Sequence, residues 1–260
     1  MKHLIIISLL ISSHAVLAQN AVTEFSHWQP SVQLNLYQEI EKIERGSRDH
    51  QDTVWQVDAE NTKAMKELRD WPWGKVNRKK YITKNDADML LAGMANDPVA
   101  GRSSWLTYDP ELRFGFCFGR ATWAWLEAIA LGYDKSSIKK LFLIGPMKTG
   151  NITWQFHVAT AIRARGIIRD QWLVIDSNFD KVVTVEEFFE KYKAQSTDQK
   201  LRLIITEPQR LGPSNTAKFG PGHYKNVAND ASYNQYFKDL VSSIASRVNY
   251  RHTKQCRYLF

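Results

Sequence analysis

One segment in the middle of the chain limits the possible folds more than any other. Between Phe114 and Leu131, apolar residues occupy every face of the helix that this segment would form. A helix that is apolar all round is buried on all sides, and Gly132 is a typical residue for ending one. The sequence therefore predicts a central helix that other elements must surround.

The elements that would surround this helix follow it in the chain. Four segments have the composition and alternation of strands, and they are Leu141–Ile144, Thr153–Arg165, Gln171–Asp176 and Leu201–Thr206. Gly145 and Pro146 are expected to close the first, and Gly166 marks a turn between the second and the third. Because the connections are too short for repeated βαβ units, we predict an α+β fold in which the buried helix packs on a mostly antiparallel sheet.

Further helices are predicted on both sides of the strands. They are Asp58–Arg69, Lys84–Ala95, Val185–Tyr192 and Tyr233–Val248. Asn85 or Asp86 is expected to cap the second of these helices. Thr184 and Glu187 have the spacing of a capping box in front of the third.

The first eighteen residues have the order of a secretory signal peptide. Met1–His3 carries positive charge, Leu4–Ile11 is apolar, and Ala15–Ala18 offers small residues at a cleavage point. The apolar run is shorter than the roughly 20 residues that a membrane-spanning helix needs. We expect residues 1–18 to be removed on export, which leaves a secreted or periplasmic protein with no membrane association.

The chain is basic, but its charge is spread along the sequence. Lys and Arg number 35 against 27 Asp and Glu, which gives a net charge of +8. The tightest basic run, Arg78–Lys80, is short. A solvated basic surface accounts for this pattern better than a nucleic-acid site does, so we predict no nucleic-acid partner.

Cys117 stands at the start of the predicted central helix. The N-terminus of a helix carries a partial positive charge of roughly +0.5 from its unpaired N–H groups. That charge favours a thiolate over a thiol, and the same N–H groups are placed to receive an oxyanion. The position therefore suits a cysteine nucleophile.

Two further residues complete a possible catalytic group. His157 lies in the middle of the second predicted strand, and Asp176 ends the third, where an unpaired carboxylate would be costly. If these strands pair around Gly166, both side chains can share a face. We expect the helix bearing Cys117 to pack over that face, opposite Ala159 and Ala161. This would bring together a nucleophile, a base and a carboxylate that orients the base.

Spacing alone leaves a second interpretation open. The chain has two cysteines, Cys117 and Cys256, and in an oxidising compartment an even number of cysteines suggests a disulfide. In that case Cys117 is structural and His157 is an ordinary core histidine.

Three short strings favour the catalytic interpretation, because together they resemble a known family. The strings are Gly115–Ala121 (GFCFGRA), Trp154–Ala159 (WQFHVA) and Val174–Asp176 (VID). Their order and spacing are similar to those of the bacterial secreted protein-glutaminases, relatives of the transglutaminases in the papain-like group. The likeness extends over about residues 114–180. The chain departs from it after Asp176, where Ser177-Asn178-Phe179 replaces an expected proline-containing turn.

The resemblance implies a papain- or transglutaminase-like core and a reaction. Cys117 would attack the side-chain amide of a glutamine in a protein or peptide and form a thioester. His157 would act as acid and base, Asp176 would orient it, and no metal or organic cofactor would be needed. Trp154 is a candidate for the edge of the substrate groove, although core packing also explains it.

The resemblance also suggests a division of the chain. We expect residues 19–80 to form a helical N-terminal region, which is a pro-segment, a packed subdomain or a substrate-docking one. Residues 81–260 are expected to form the catalytic domain. The same three residues would also serve a transglutaminase or a cysteine peptidase. A non-catalytic secreted binding protein is the alternative from a different class, and the sequence makes no prediction of oligomeric state.

Overall fold

The structure is a computed structural model of the 260-residue chain. It describes residues 41–43, 45–46, 51–71, 81–108, 110, 116–166, 170–210, 212–213, 235–236, 239–240, 242–244 and 246–247. The predicted signal peptide, the basic run Arg78–Lys80 and Cys256 lie outside the described residues.

Five helices and five strands make up the described fold. The helices are α1 (Val54–Arg69), α2 (Lys84–Ala95), α3 (Ser104–Tyr108), α4 (Cys117–Ala130) and α5 (Val185–Lys193). The strands are β1 (Ile138–Thr149), β2 (Ile152–Ala164), β3 (Gln171–Ile175), β4 (Val183–Thr184) and β5 (Arg202–Thr206). A 3-10 turn, Lys135–Ser137, precedes β1. Helical residues also occur in the ranges 41–46 and 235–247.

The strands form one antiparallel sheet in the order β4-β3-β2-β1-β5. This confirms the predicted α+β class. β3 is much shorter than β2 and pairs with it only from Thr160, opposite Ile175, to Ala164. The first half of β2, residues 152–159, thus extends beyond the end of β3. The candidate site lies along this part of β2.

Helix α4 is buried, as the sequence predicted. Trp123, Trp125 and Leu126 are each at most 5% exposed. Gly132 ends the helix with a φ of 87°, a left-handed conformation that favours glycine. Its N–H donates to the Ile129 carbonyl at 2.9 Å, which satisfies one of the carbonyls left free at the end of the helix.

The sheet is covered by helices on both faces. Residues of α2 and α4 form a cluster on one face with Ile162 and Ile175. Leu68 of α1 and the aromatic residues of α5 form a second cluster with Ala159 and Ala161.

The predicted face for α4 is therefore wrong. The helix packs on the face of β2 that presents Thr160, whose hydroxyl donates to the Ala121 carbonyl at 2.6 Å. Ala159 and Ala161 point to the opposite face and share a cluster with Trp172 and Phe188. Their small side chains make room for these large rings rather than for the helix.

Local signals set the ends of several elements. The capping box of Thr184 and Glu187 is present at α5, as predicted. The N-cap of α2 is Thr83, not Asn85 or Asp86, because the Thr83 hydroxyl accepts a hydrogen bond from the Asp86 N–H at 3.0 Å. Asp86 lies inside the first turn, where its charge complements the helix dipole.

The start of α1 and the end of β1 differ from the predicted positions. Helix α1 begins four residues earlier than predicted, since Thr53 and Gln56 form a second capping box. Strand β1 was expected to end before Gly145 and Pro146, yet it continues to Thr149. A register shift between Ile144 and Met147 accommodates the two residues, as bulges do where a strand carries proline.

Helix α1 is tied to the sheet although it belongs to the predicted N-terminal region. The Asn61 side chain donates to the Leu201 carbonyl and accepts from the Leu203 N–H, both at 2.8 Å. Trp172 donates to the Leu68 carbonyl at 3.0 Å. The division at residue 80 stays a prediction. Within the described part of the chain, no helix has the length and apolar character to cross a membrane.

A fully buried lysine lies beneath α4. Lys140 is 0% exposed, and its ammonium donates to the Arg210 carbonyl at 2.8 Å and lies 4.7 Å from the centre of the Phe118 ring. Burial lowers its pKa to about 7 from the usual 10.5. Since a charged group in apolar surroundings opposes folding, Lys140 destabilises the protein wherever it is protonated.

We expect Lys140→Met to raise the free energy of unfolding by roughly 1–4 kcal/mol at pH 6. Between pH 7 and 10.5 the unfolded chain holds this proton and the folded chain releases it, so the penalty shrinks as the pH rises. Urea unfolding should show that the difference in free energy of unfolding between Lys140→Met and the parent is smaller at pH 9 than at pH 6. Lys148→Met, at an exposed position of the same strand, is the control. A destabilised variant, or a gap independent of pH, would contradict the interpretation.

Candidate active site

Three chain segments meet where β3 ends. Asp176 is the first residue after β3, His157 lies on the part of β2 that extends beyond β3, and Cys117 is the first residue of α4. The structure thus brings together the three residues that the sequence singled out. All three are buried, and Cys117 is the most accessible at 9% exposed.

His157 and Asp176 form a close pair. The His157 Nε2–H donates to Asp176 Oδ2 at 2.7 Å. The other carboxylate oxygen accepts from the Asn178 backbone N–H at 3.0 Å. Because the carboxylate is an acceptor for Nε2, it fixes the tautomer and the orientation of the ring.

Cys117 lines the same cleft as His157. The His157 side chain and the Val158 backbone both act to lower the pKa of the Cys117 thiol. Since Nε2 is occupied by Asp176, Nδ1 is the nitrogen left for the thiol. Phe116, the N-cap of α4, supplies no side-chain hydrogen bond to the helix, so no side-chain cap competes for its first N–H groups.

The electrostatics favour an ion pair. Burial raises the pKa of Cys117, but the hydrogen bond and charge of His157 and the charge of Arg120 outweigh it, and the pKa is lowered overall. Burial likewise lowers the pKa of His157, yet Asp176 and Cys117 together raise it to about 9. A lowered thiol pKa beside a raised imidazole pKa favours transfer of the thiol proton to the imidazole, which forms a thiolate and an imidazolium.

Asp176 completes the charge distribution. Burial raises its pKa, while the charge and hydrogen bond of His157 and the Asn178 amide lower it more. Asp176 is therefore ionised and able to hold the protonated His157.

A cleft of about 770 Å³ opens over the thiol. Trp105 of α3 and Arg102, which precedes that helix, line it together with Ile152 and Trp154 from the β1–β2 hairpin. Trp154 lines this cleft and also packs against the cluster on the α5 side of the sheet, so its role at a substrate groove stays a prediction.

Cys117 is a free thiol in the structure. The predicted alternative, a disulfide to Cys256, involves a partner that is not among the described residues. No cluster of three His, Cys, Asp or Glu side chains able to hold a metal occurs in the part of the chain that the structure describes.

Sequence reasoning missed Tyr192. The hydroxyl of this residue, at the end of α5, lies 3.0 Å from His157 Nε2 and donates to Asp176 Oδ2 at 3.1 Å. In the sequence it follows Phe188 and Phe189 and looks like one more core aromatic. Nothing in the pattern distinguishes it, because its role depends on how α5 packs against β2.

The turn after Asp176 was also underestimated. The Asn178 side chain donates to the Tyr192 hydroxyl at 2.9 Å. Arg102 donates to the Ser177 carbonyl at 2.6 Å, and Lys191 donates to the Asn178 carbonyl at 2.7 Å. The departure from the expected proline-containing turn was the available signal that this segment has contacts of its own.

Comparison with known proteins gives one distant likeness. No protein-family model matches the chain, and no curated protein matches it. A crystal structure of the A47Q2 mutant of pro-protein-glutaminase is similar, with a TM-score of 0.40 and 15% identity over 54% of this chain and 53% of that one. The aligned part spans about half the length of that protein, and the likeness is a weak one in fold.

We expect Cys117 to react with iodoacetamide below neutral pH faster than a free cysteine does, because its pKa is lowered. The measurement uses a Cys256→Ser chain, in which Cys117 is the remaining thiol. His157→Gln should return the pH dependence towards that of an ordinary thiol. A parent chain that already shows the ordinary profile would contradict the ion pair.

Proposed function

We propose that this chain is an exported cysteine-dependent amidohydrolase that deamidates glutamine side chains in proteins or peptides. The observation that carries the proposal is the His157–Asp176 hydrogen bond in a cleft that His157 and Cys117 line together. The three sequence strings around these residues support glutamine as the group attacked. The chain would have a papain- or transglutaminase-like core and need no cofactor.

The first half of the reaction releases ammonia. The Cys117 thiolate attacks the side-chain carbonyl carbon of the glutamine, and the N–H of Cys117 is placed to stabilise the oxyanion. The His157 imidazolium then gives its proton to the departing nitrogen. The C–N bond breaks, ammonia leaves, and a thioester to Cys117 remains.

The second half regenerates the enzyme. Neutral His157 takes a proton from a water molecule as that water attacks the thioester carbon. The C–S bond breaks, glutamate is formed, and the thiolate and imidazolium are restored. Asp176 stays ionised throughout and stabilises the charged ring.

The cleft supports a macromolecular substrate. Trp105 and Ile152 are 41% and 55% exposed, and both line the cleft that holds the thiol. A site for free glutamine alone would have no use for apolar surface of this extent at its rim. We infer that residues flanking the glutamine in a polypeptide contact these side chains, with Trp154 beside them.

Cys117→Ala should abolish ammonia release from an unfolded glutamine-rich protein, because the Cys117 sulfur forms the thioester. The assay follows ammonia and the deamidation of glutamine by mass spectrometry, and Cys256→Ser serves as the matched control that retains activity. Incorporation of an added amine would instead indicate a transglutaminase, and peptide fragments a peptidase. Ammonia release that persists in Cys117→Ala would refute the assignment.

The pH dependence of kcat/KM should fall on the alkaline side with an apparent pKa near 9, because His157 must be protonated to give a proton to ammonia. Asp176→Asn removes the charge that raises this pKa, so the alkaline limb should move to lower pH. Its rate should also fall by about two to four orders of magnitude. If the alkaline limb does not move in Asp176→Asn, His157 is not the group that protonates the departing ammonia.

A further inference from the structure

The contacts of Tyr192 go beyond packing. Its hydroxyl lies between Asp176 and His157, 3.1 Å from Oδ2 and 3.0 Å from Nε2. Its ring stacks on the imidazole, with centroids 4.5 Å apart and planes inclined by 26°. The residue is 2% exposed, so water does not compete for these contacts.

We propose that Tyr192 is a positioning residue that holds Asp176 against His157, with its own hydroxyl directed by Asn178. The inference rests on the proposed function, since the pair it supports is the one assigned to catalysis. Tyr192 does not touch the reacting atoms in this proposal, and it acts through the carboxylate.

The direction of each hydrogen bond follows from counting donors. The Asn178 side-chain N–H donates to the Tyr192 oxygen at 2.9 Å. The hydroxyl proton is thereby directed to Asp176, which already accepts from His157 and from the Asn178 backbone. A phenol has one proton to give, so the chain of bonds runs one way, from Asn178 through Tyr192 to Asp176.

Tyr192 keeps this proton over the working pH range. Burial and the charge of Asp176 raise its pKa far above the usual value. A neutral hydroxyl can donate, whereas a phenolate beside a carboxylate would repel it. Donors to Asp176 thus come from three directions and restrict rotation of the carboxylate away from the ring.

The support behind Tyr192 is itself fixed. Phe188 packs at 5.1 Å from the Tyr192 ring and at 5.9 Å from the His157 ring. Arg102 and Lys191 hold the backbone of the turn that carries Asn178. The hydroxyl position is therefore set by α5 and by the turn together, which suits a residue that must hold another in place.

The test reads the state of the thiol rather than turnover, so it does not depend on the identity of the substrate. In the Cys256→Ser background, Tyr192→Phe keeps the ring and removes the hydroxyl. The groups whose charges act on Cys117 and Asp176 are His157 and Arg120, and the variant changes neither. We expect the alkylation profile of Cys117 to move to higher pH, with a rate below pH 7 lower by about tenfold.

Three comparisons separate positioning from simple loss of stability. Tyr81→Phe removes a hydroxyl that donates to Asp170 at 3.2 Å, away from the thiol, and should leave the profile unchanged. Tyr192→Phe added to Asp176→Asn should have no further effect, because the hydroxyl acts through the carboxylate. Asn178→Ala, which keeps the Tyr192 ring and its hydroxyl, should shift the profile in the same direction by a smaller factor.

Each outcome decides the question. If Tyr192→Phe leaves the profile of the parent, or if its effect adds fully to that of Asp176→Asn, the proposal is wrong. Should Tyr192→Phe fail to fold, Asn178→Ala carries the same test, and an unchanged profile in that variant overturns the proposal. With glutamine substrates, a lower kcat at constant KM is expected. If the alkylation profiles shift as expected but glutamine substrates release no ammonia, the positioning role stands and the proposed function is rejected.

Discussion

The packing of α4 on β2 is the constraint on which the site depends. The helix is anchored where the Thr160 hydroxyl donates to the Ala121 carbonyl, one turn from Cys117. That contact fixes the distance between the start of the helix and the strand that carries His157. Because protein cores are close-packed, the surrounding side chains leave the helix little freedom to slide, and the thiol is held where the imidazole can reach it.

Each charge within this buried site is stabilised by an opposite charge beside it. Burial opposes ionisation of Cys117, His157 and Asp176, each by itself. Together they form alternating negative, positive and negative groups whose attraction exceeds that penalty. Removing one partner leaves the others with uncompensated charge. The same low polarity that penalises a lone charge strengthens the paired ones.

Most elements were predictable because their signals are local. The all-round apolar segment identified α4, Gly132 marked its end, and a capping box placed α5. Cys117 at the start of a helix and Asp176 at the end of a strand were likewise identified from local context. The face on which α4 packs was predicted wrongly, since alternation shows that residues share a face but not which layer covers it. Tyr192 was missed for the same reason, because its contact joins two elements whose packing the sequence leaves unstated.

The shortness of β3 explains why the site forms at this edge. In a fully paired strand, backbone N–H groups are used by the ladder. Beyond the end of β3, the Asn178 N–H donates to Asp176, and the Val158 backbone acts to lower the pKa of Cys117. A longer β3 would carry Asp176 further along the strand and replace these bonds with strand pairing. The early end of β3 therefore leaves these backbone groups available to the site. The turn after β3 is stabilised by Arg102 and Lys191 in place of further strand pairing.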